Sequence, residues 1–240
     1  MRHPGALPQV CVLVVTWNRK EALERCLRAI RGQTYPAHRL HVVVIDNAST
    51  DGTAEHVFGQ WKPERAVDNA ATGADQPAIT LAKGSGTRNP GGFRSLTLAR
   101  NQHNLGGCGG FNTGFLMIER TIAAHRQESM IPEDPRQQAA EQMAYVWLVD
   151  DDAEPAPDCL ERLIAAAEAD PKIGIVGSRM VDPTDKATTL ESTVFFNPST
   201  GMFGQPEEGH PLAAEHRAWL AKVGDPKGRH EAPEARGAMS

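Results

Sequence analysis

Apolar positions along this chain follow two periods. Continuous runs at Val10–Thr16 (VCVLVVT), Leu40–Ile45 (LHVVVI) and Ala144–Val149 (AYVWLV) predict strands buried on both faces. Between them, Leu23, Cys26, Leu27 and Ile30 recur at helical spacing. Asn18 and Glu21 form a capping-box pattern ahead of that helix, and Gly32 is placed to end it. Ser49-Thr-Asp-Gly-Thr53 predicts a turn into a short helix reaching about Gln60. Regular structure resumes at Ser95–Ala99, and a helix is expected over Phe111–His125 with Phe115, Ile118 and Ile122 on one face. Pro157 and Asp158 suit the first turn of another helix, whose apolar face is Leu160, Leu163, Ile164 and Ala167. Lys172–Val181 predicts one more strand. The alternation of strand and helix argues for an α/β fold with a mostly parallel open sheet flanked by helices.

Other segments break the pattern. Residues 62–95 are rich in Gly, Asn and Pro and predict a surface insertion, with one short strand at Ala78–Ala82. Residues 127–141 predict a polar linker. The periodicity fades after Gly201, and Gly224–Ser240 predicts an unstructured tail.

Composition narrows the classes. Among 240 residues, 25 are basic and 30 acidic, a net charge of −5, which gives no electrostatic case for nucleic acid. The apolar run near the start, Val10–Val15, is too short for a spanning helix or a signal-peptide core. Cys11, Cys26, Cys108 and Cys159 form no C-x-x-C pair. That argues against a disulfide framework or zinc site and fits a reducing compartment.

The candidate chemistry is positional. Thr16-Trp17-Asn18, Asp46-Asn47, Asn104-Leu-Gly106-Gly107 and Asp150-Asp151-Asp152 all fall at or just after the carboxyl ends of expected strands. In an open parallel sheet those ends share one edge, where ligands bind. Three adjacent aspartates repel one another and need compensation, most simply from a cation; the plainer reading is an acidic loop that starts the next helix. Alternation along an extended segment puts Asp150 and Asp152 on one side and Asp151 on the other. Two carboxylates on one side suit Mg²⁺ or Mn²⁺ with positions open for a diphosphate. Asp46 has two readings: ordinary turn chemistry, or a carboxylate that contacts a nucleotide base or ribose. The glycines of NLGGCGGFN (104–112) permit close backbone approach ahead of a helix N-terminus, which favours an anion, and a flexible linker is the other reading.

Together these residues resemble family 2 glycosyltransferases of the GT-A fold. VVTWNR (14–19) resembles the opening strand and nucleotide-contacting turn, and IDNASTDGT (45–53) the second-strand motif whose aspartate, here Asp46, contacts the base. NLGGCGGFN (104–112) is similar to the Asn- and Gly-containing segment that lies against the donor, and VDDDA (149–153) to the metal-binding D-x-D. The order and spacing match over roughly residues 10–180. The doubled glycines and DDDA are most similar to bacterial galactofuranosyltransferases, with rhamnosyltransferases close behind.

The resemblance implies a GT-A-like domain over 1–204, with the insertion at about 62–95, and a poorly ordered tail over 205–240 with part of the acceptor half truncated. It implies inverting transfer of a sugar, UDP-galactofuranose first and dTDP-rhamnose second, to a glycan or lipid-linked acceptor in cell-wall or polysaccharide synthesis. Mn²⁺ or Mg²⁺ would sit on Asp150 and Asp152. Asp151 would face the donor sugar. Thr16, Trp17, Asn18, Asp46, Asn104, Gly106, Gly107 and Asp150 would bind the donor. The general base is unassigned. His210 and His216 are candidate metal ligands, or simply solvated. The expected location is cytoplasmic, at the inner face of the membrane, with peripheral contact and no spanning segment.

The alternative is a module that binds nucleotide-sugar without turning it over. A nucleotidyltransferase fits less well, because Thr16-Trp-Asn-Arg19 lacks the glycine-rich loop expected straight after the first strand. A dinucleotide-dependent oxidoreductase fits poorly too, because the glycine-rich stretch lies late in the chain rather than in the first βα turn.

Overall fold

A computed structural model of the chain describes residues 7–71, 79–82, 89–128, 143–182, 184, 189–191, 195–197 and 202–204. The chain divides into two compact units, Met1–Arg162 and Leu163–Ser240. The first is built on a six-stranded sheet in the order β4-β3-β5-β2-β1-β6. Its strands are β1 (Gln9–Thr16), β2 (Leu40–Asp46), β3 (Arg65–Asn69), β4 (Ile79–Ala82), β5 (Ser95–Asn101) and β6 (Met143–Asp150). All neighbours pair parallel except β3 with β4.

The central strands are buried on both faces, as their unbroken apolar runs require. Cys11 and Leu13 on one face of β1, and Val10, Val12 and Val14 on the other, are all 0% exposed. Cys11, Leu13, Val43, Ile45, Val67 and Ala99 form one core with Met117 and Ile118 of helix α3 (Gly106–Glu128). Helix α1 (Lys20–Arg31) buries Leu23, Cys26, Leu27 and Ile30, as its spacing predicts.

Glycine sets how closely α3 approaches β1. A Cβ on Gly110 would lie 2.5 Å from Val15 Cγ1, and one on Gly114 2.5 Å from Leu13 Cδ1. Those two positions let the helix backbone lie directly on the strand. They also explain why α3 begins at Gly106 rather than near Phe111: tertiary packing and loop anchoring override the poor helix propensity of glycine.

Three further expectations change. The stretch expected to be an insertion contains a parallel strand, β3, followed by the short β4 close to where a strand was expected. β3 is short and polar at its ends, so its sequence is weakly periodic, yet pairing with β5 buries Ala66 and Val67. Among the described residues β6 lies at the edge of the sheet rather than buried within it, with Val146 45% and Leu148 49% exposed. The strand expected at Lys172–Val181 is reduced to Met180–Val181 (β7), because Gly174 and Gly177 weaken the run.

The first unit also contains a short helix, α2 (Thr53–His56), which continues as a π-helical turn through Val57–Trp61. Helix α4 (Cys159–Ala169) begins in the first unit. Its start is fixed by the Gln33 side chain, whose Oε1 accepts the Leu160 N–H at 3.0 Å. In the second unit, β7 pairs antiparallel with β8 (Thr189–Glu191), and β9 (Phe195–Asn197) with β10 (Met202–Gly204). Of the linker expected over 127–141, residues 127 and 128 close α3, and the rest lies outside the described residues, as does the tail over 205–240 with His210 and His216. No helix among the described residues is long and apolar enough to cross a membrane.

Candidate functional site

The loops after β1 and β2 are knitted together by side chains. Asn18 has φ 53° and does not cap α1. Its Oδ1 accepts the Thr50 N–H at 2.7 Å, and its own N–H donates to Ser49 Oγ at 2.9 Å. The residue at the N-cap of α1 is Arg19, and the Lys20 N–H donates across the gap to Asp51 Oδ2 at 3.1 Å. Capping by the neighbouring loop replaces the expected capping box. The Asn47 N–H donates to the Thr16 carbonyl at 2.9 Å, closing the two loops against each other.

The turn after β6 joins this pair. Thr16 Oγ1 donates to Asp151 Oδ2 at 2.7 Å. Arg19 Nη1 lies 3.4 Å from Asp151 Oδ1 and also bonds Asp152. Asp151 is 8% exposed, whereas Asp150 and Asp152 are exposed, in the alternation expected of an extended chain end. Burial pushes the Asp151 carboxyl above its usual range, while the Thr16 hydroxyl and Arg19 pull the other way. Part of the cation demand of the triple aspartate is therefore met by Arg19.

The loop before α3 completes the edge. Asn47 Nδ2 donates to Asn104 Oδ1 at 2.9 Å and to the Gly106 carbonyl at 3.0 Å. Asn47 Oδ1 accepts the Leu105 N–H at 3.1 Å. Gly106 takes φ +67°, a conformation that suits glycine.

These four loops enclose an open cleft of about 280 Å³, lined by Val15, Thr16, Trp17, Arg19, Asn47, Asn104, Gly106, Gly107 and Asp151. Of the residues singled out from the sequence, Thr16, Trp17, Asn104, Gly106, Gly107 and Asp151 meet here. Asn18 lies in the loop scaffold outside the lining. So does Asp46, 3% exposed, whose Oδ1 accepts the Ser49 N–H at 3.2 Å. Burial pushes the Asp46 carboxyl up, against the pull of its Ser49 hydrogen bonds. Asp150 and Asp152 stand on the exposed side of the same strand end. Arg19 and the clamping role of Asn47 are additions the sequence reading lacked. Their signal was proximity to the strand-end clusters.

Thiolate chemistry is not supported in the core: burial pushes the Cys11 and Cys26 thiols up to about 12, leaving both neutral near pH 7. Among the described residues, no group of three His, Cys, Asp or Glu side chains is arranged to hold a metal ion. The hard carboxylate oxygens of Asp150 and Asp152 are nonetheless chemically suited to Mg²⁺ or Mn²⁺.

The profile of glycosyl transferase family 2 matches residues 11–59 and 137–218, more than half of the chain. The chain belongs to that family, and its fold is a mostly parallel open sheet flanked by helices. Glycosyltransferase AglE of Haloferax volcanii is 45% identical over 51 residues, which are 21% of this chain and 17% of that protein. A mannosyltransferase from Pyrobaculum calidifontis, solved with GDP-Man and Mn²⁺, is 27% identical with a TM-score of 0.45, covering 77% of this chain and 39% of that one. Residues 1–349 of S. aureus TarS, solved with UDP-GlcNAc, are 16% identical with a TM-score of 0.38, covering 67% and 31%. The matches thus span well under half the length of each of these relatives.

Proposed function

We propose that the cleft binds a nucleoside-diphosphate sugar and that the chain serves inverting, metal-dependent glycosyl transfer. The observation that carries this reading is the convergence of Thr16, Asn47, Asn104, Gly106, Gly107 and Asp151 on one cleft at the carboxyl ends of parallel strands. The start of the 23-residue α3 offers backbone N–H groups and the positive end of a helix dipole to the diphosphate. Trp17, 51% exposed at the cleft, offers a flat apolar face to the donor. Asp46 is proposed to contact the base, with Asn18 shaping the same wall.

Asp150 and Asp152 would hold Mn²⁺ or Mg²⁺, which when bound neutralises charge on the departing diphosphate. Arg19 adds fixed positive charge beside it. Asp151 is oriented by Thr16 and faces the cleft, where it would contact the donor sugar. UDP-galactofuranose is the favoured donor and dTDP-rhamnose the second, with a glycan or lipid-linked acceptor in cell-wall or polysaccharide synthesis, at the cytoplasmic face of the membrane.

One observation favours a second reading. The only carboxylate lining the cleft among the described residues, Asp151, is already engaged by Thr16 and Arg19. Without a second carboxylate as base, the chain would bind a donor and leave it intact. Incubation with UDP-galactofuranose, dTDP-rhamnose, GDP-mannose and UDP-N-acetylglucosamine in Mn²⁺ separates the two. Release of UDP, dTDP or GDP supports transfer chemistry, and tight donor binding without release supports the binding module. Binding of none of the four refutes both.

A further inference from the structure

Behind the cleft, three buried asparagines stand side by side at the ends of three parallel strands. The register pairs Asn69 of β3 with Asn101 of β5. It also pairs Asp46 of β2 with Arg100 of β5, so the next residue, Asn47, adjoins Asn101. Asn69 Nδ2 donates to Asn101 Oδ1 at 2.7 Å, and Asn101 Nδ2 donates to Asn47 Oδ1 at 2.8 Å. Thr113 of α3 closes the group: its Oγ1 accepts from Asn69 Nδ2 at 3.0 Å and lies 3.1 Å from Asn101 Oδ1 and 2.9 Å from the Gly109 carbonyl. All four side chains belong to residues at most 4% exposed.

This arrangement fixes which way the Asn47 amide points. With its oxygen held by Asn101 Nδ2 and the Leu105 N–H, its amino group must face Asn104 Oδ1 and the Gly106 carbonyl. A chain of hydrogen bonds therefore runs from β3 through β5 and β2 into the backbone of the loop before α3. Buried networks of this kind, fully satisfied, specify a single arrangement.

We propose that Asn69, Asn101 and Thr113 are positioning residues that lock the Asn47 amide and so hold loop 104–107 where it meets the diphosphate of the donor. This rests on the donor-site reading above. None of the three lines the cleft, and their hydrogen bonds reach it by way of Asn47.

The test compares Thr113→Val, which keeps the shape and loses the hydroxyl, with Thr113→Ser, which keeps the hydroxyl and loses the methyl. UDP affinity in Mn²⁺ is expected to fall about tenfold in Thr113→Val and to stay near wild type in Thr113→Ser. A packing role predicts the opposite order, and that order, or two variants both equal to wild type, overturns the proposal. Asn101→Asp, which loses the donor to Asn47, is expected to weaken UDP at least as much as Thr113→Val. Should Asn101→Asp fail to fold, the Thr113 pair still decides.

Amide exchange separates this inference from the donor reading. Exchange at Leu105–Gly107 is expected to quicken about tenfold in Thr113→Val, with residues 96–100 unchanged. Unchanged loop exchange overturns the positioning role whatever the nucleotide does. Failure of the wild-type chain to bind UDP, dTDP or GDP counts against the donor reading, and loop exchange then still judges the asparagine network.

Discussion

Thr16 and Asp151, at the ends of adjacent strands and 135 positions apart in sequence, share a hydrogen bond of 2.7 Å from hydroxyl to carboxylate. That bond turns the middle of three consecutive aspartates toward the cleft and leaves the outer two exposed. It divides one acidic run in two: an oriented, buried carboxylate and a pair of exposed ones, of which Asp152 pairs with Arg19.

The close approach of α3 to β1 makes glycine substitutions opposite in sign along one helix. Gly114→Ala would drive a Cβ into fully buried Leu13, with Cδ1, Cδ2 and Cγ of that side chain all within 3.1 Å. Overpacking of this kind costs about 1–3 kcal/mol, and thermal melting should show Tm lower by several degrees. Gly107→Ala has nothing within 4 Å and no positive φ. It should gain roughly 0.5–1 kcal/mol from helix propensity and a stiffer unfolded chain.

Asp46 carries a folded-state carboxyl raised by burial. A raised acid pKa means the fold favours the protonated form. Its contribution is complete below the ordinary carboxylate pKa and is lost as pH rises through the folded value. Asp46→Asn keeps an oxygen for the Ser49 N–H and cannot ionise. Its Tm should therefore exceed wild type at pH 7, and the gain should shrink toward pH 3. Denaturation at the two pH values checks the sign. An equal or lower Tm at pH 7 would show that the ionised carboxylate is stabilising.

Glu64 anchors the entry to β5. Its Oε2 accepts the Leu96 N–H at 2.7 Å and its Oε1 the Asn89 N–H at 3.2 Å. Glu64→Ala removes the acceptor from two backbone donors and should cost about 1–3 kcal/mol. Urea unfolding should show a lower midpoint with an unchanged slope, and amide exchange should quicken first at Leu96.

Much of the architecture was legible in the sequence because the central strands are buried on both faces. Runs such as VCVLVVT admit few other placements, and the polar residues that end them mark one edge of the sheet. β3 was not legible: Arg65, Asp68 and Asn69 make it polar, and only pairing with β5 selects it. The edge position of β6 was equally hidden, since AYVWLV reads the same whether one neighbour is present or two.

In the site, Asp151 and the loop glycines were visible as chemistry, while Asn69, Asn101 and Thr113 were not. Their side-chain partners lie between 12 and 54 positions away, and no local pattern announces a network that distant. Arg19 was hidden for the same reason: it finds its carboxylates 132 and 133 residues later.

The donor and metal sites are tested most directly by one titration: UDP added to the intact chain with and without Mn²⁺, for the wild type and for Asp152→Ala, followed by calorimetry alongside a thermal melt of each protein. The prediction is Mn²⁺-dependent binding by the wild type that disappears in Asp152→Ala while Tm is unchanged. Equal Mn²⁺-dependent affinity in both would contradict the metal assignment, and no UDP binding by the wild type would contradict the choice of a UDP-sugar as donor.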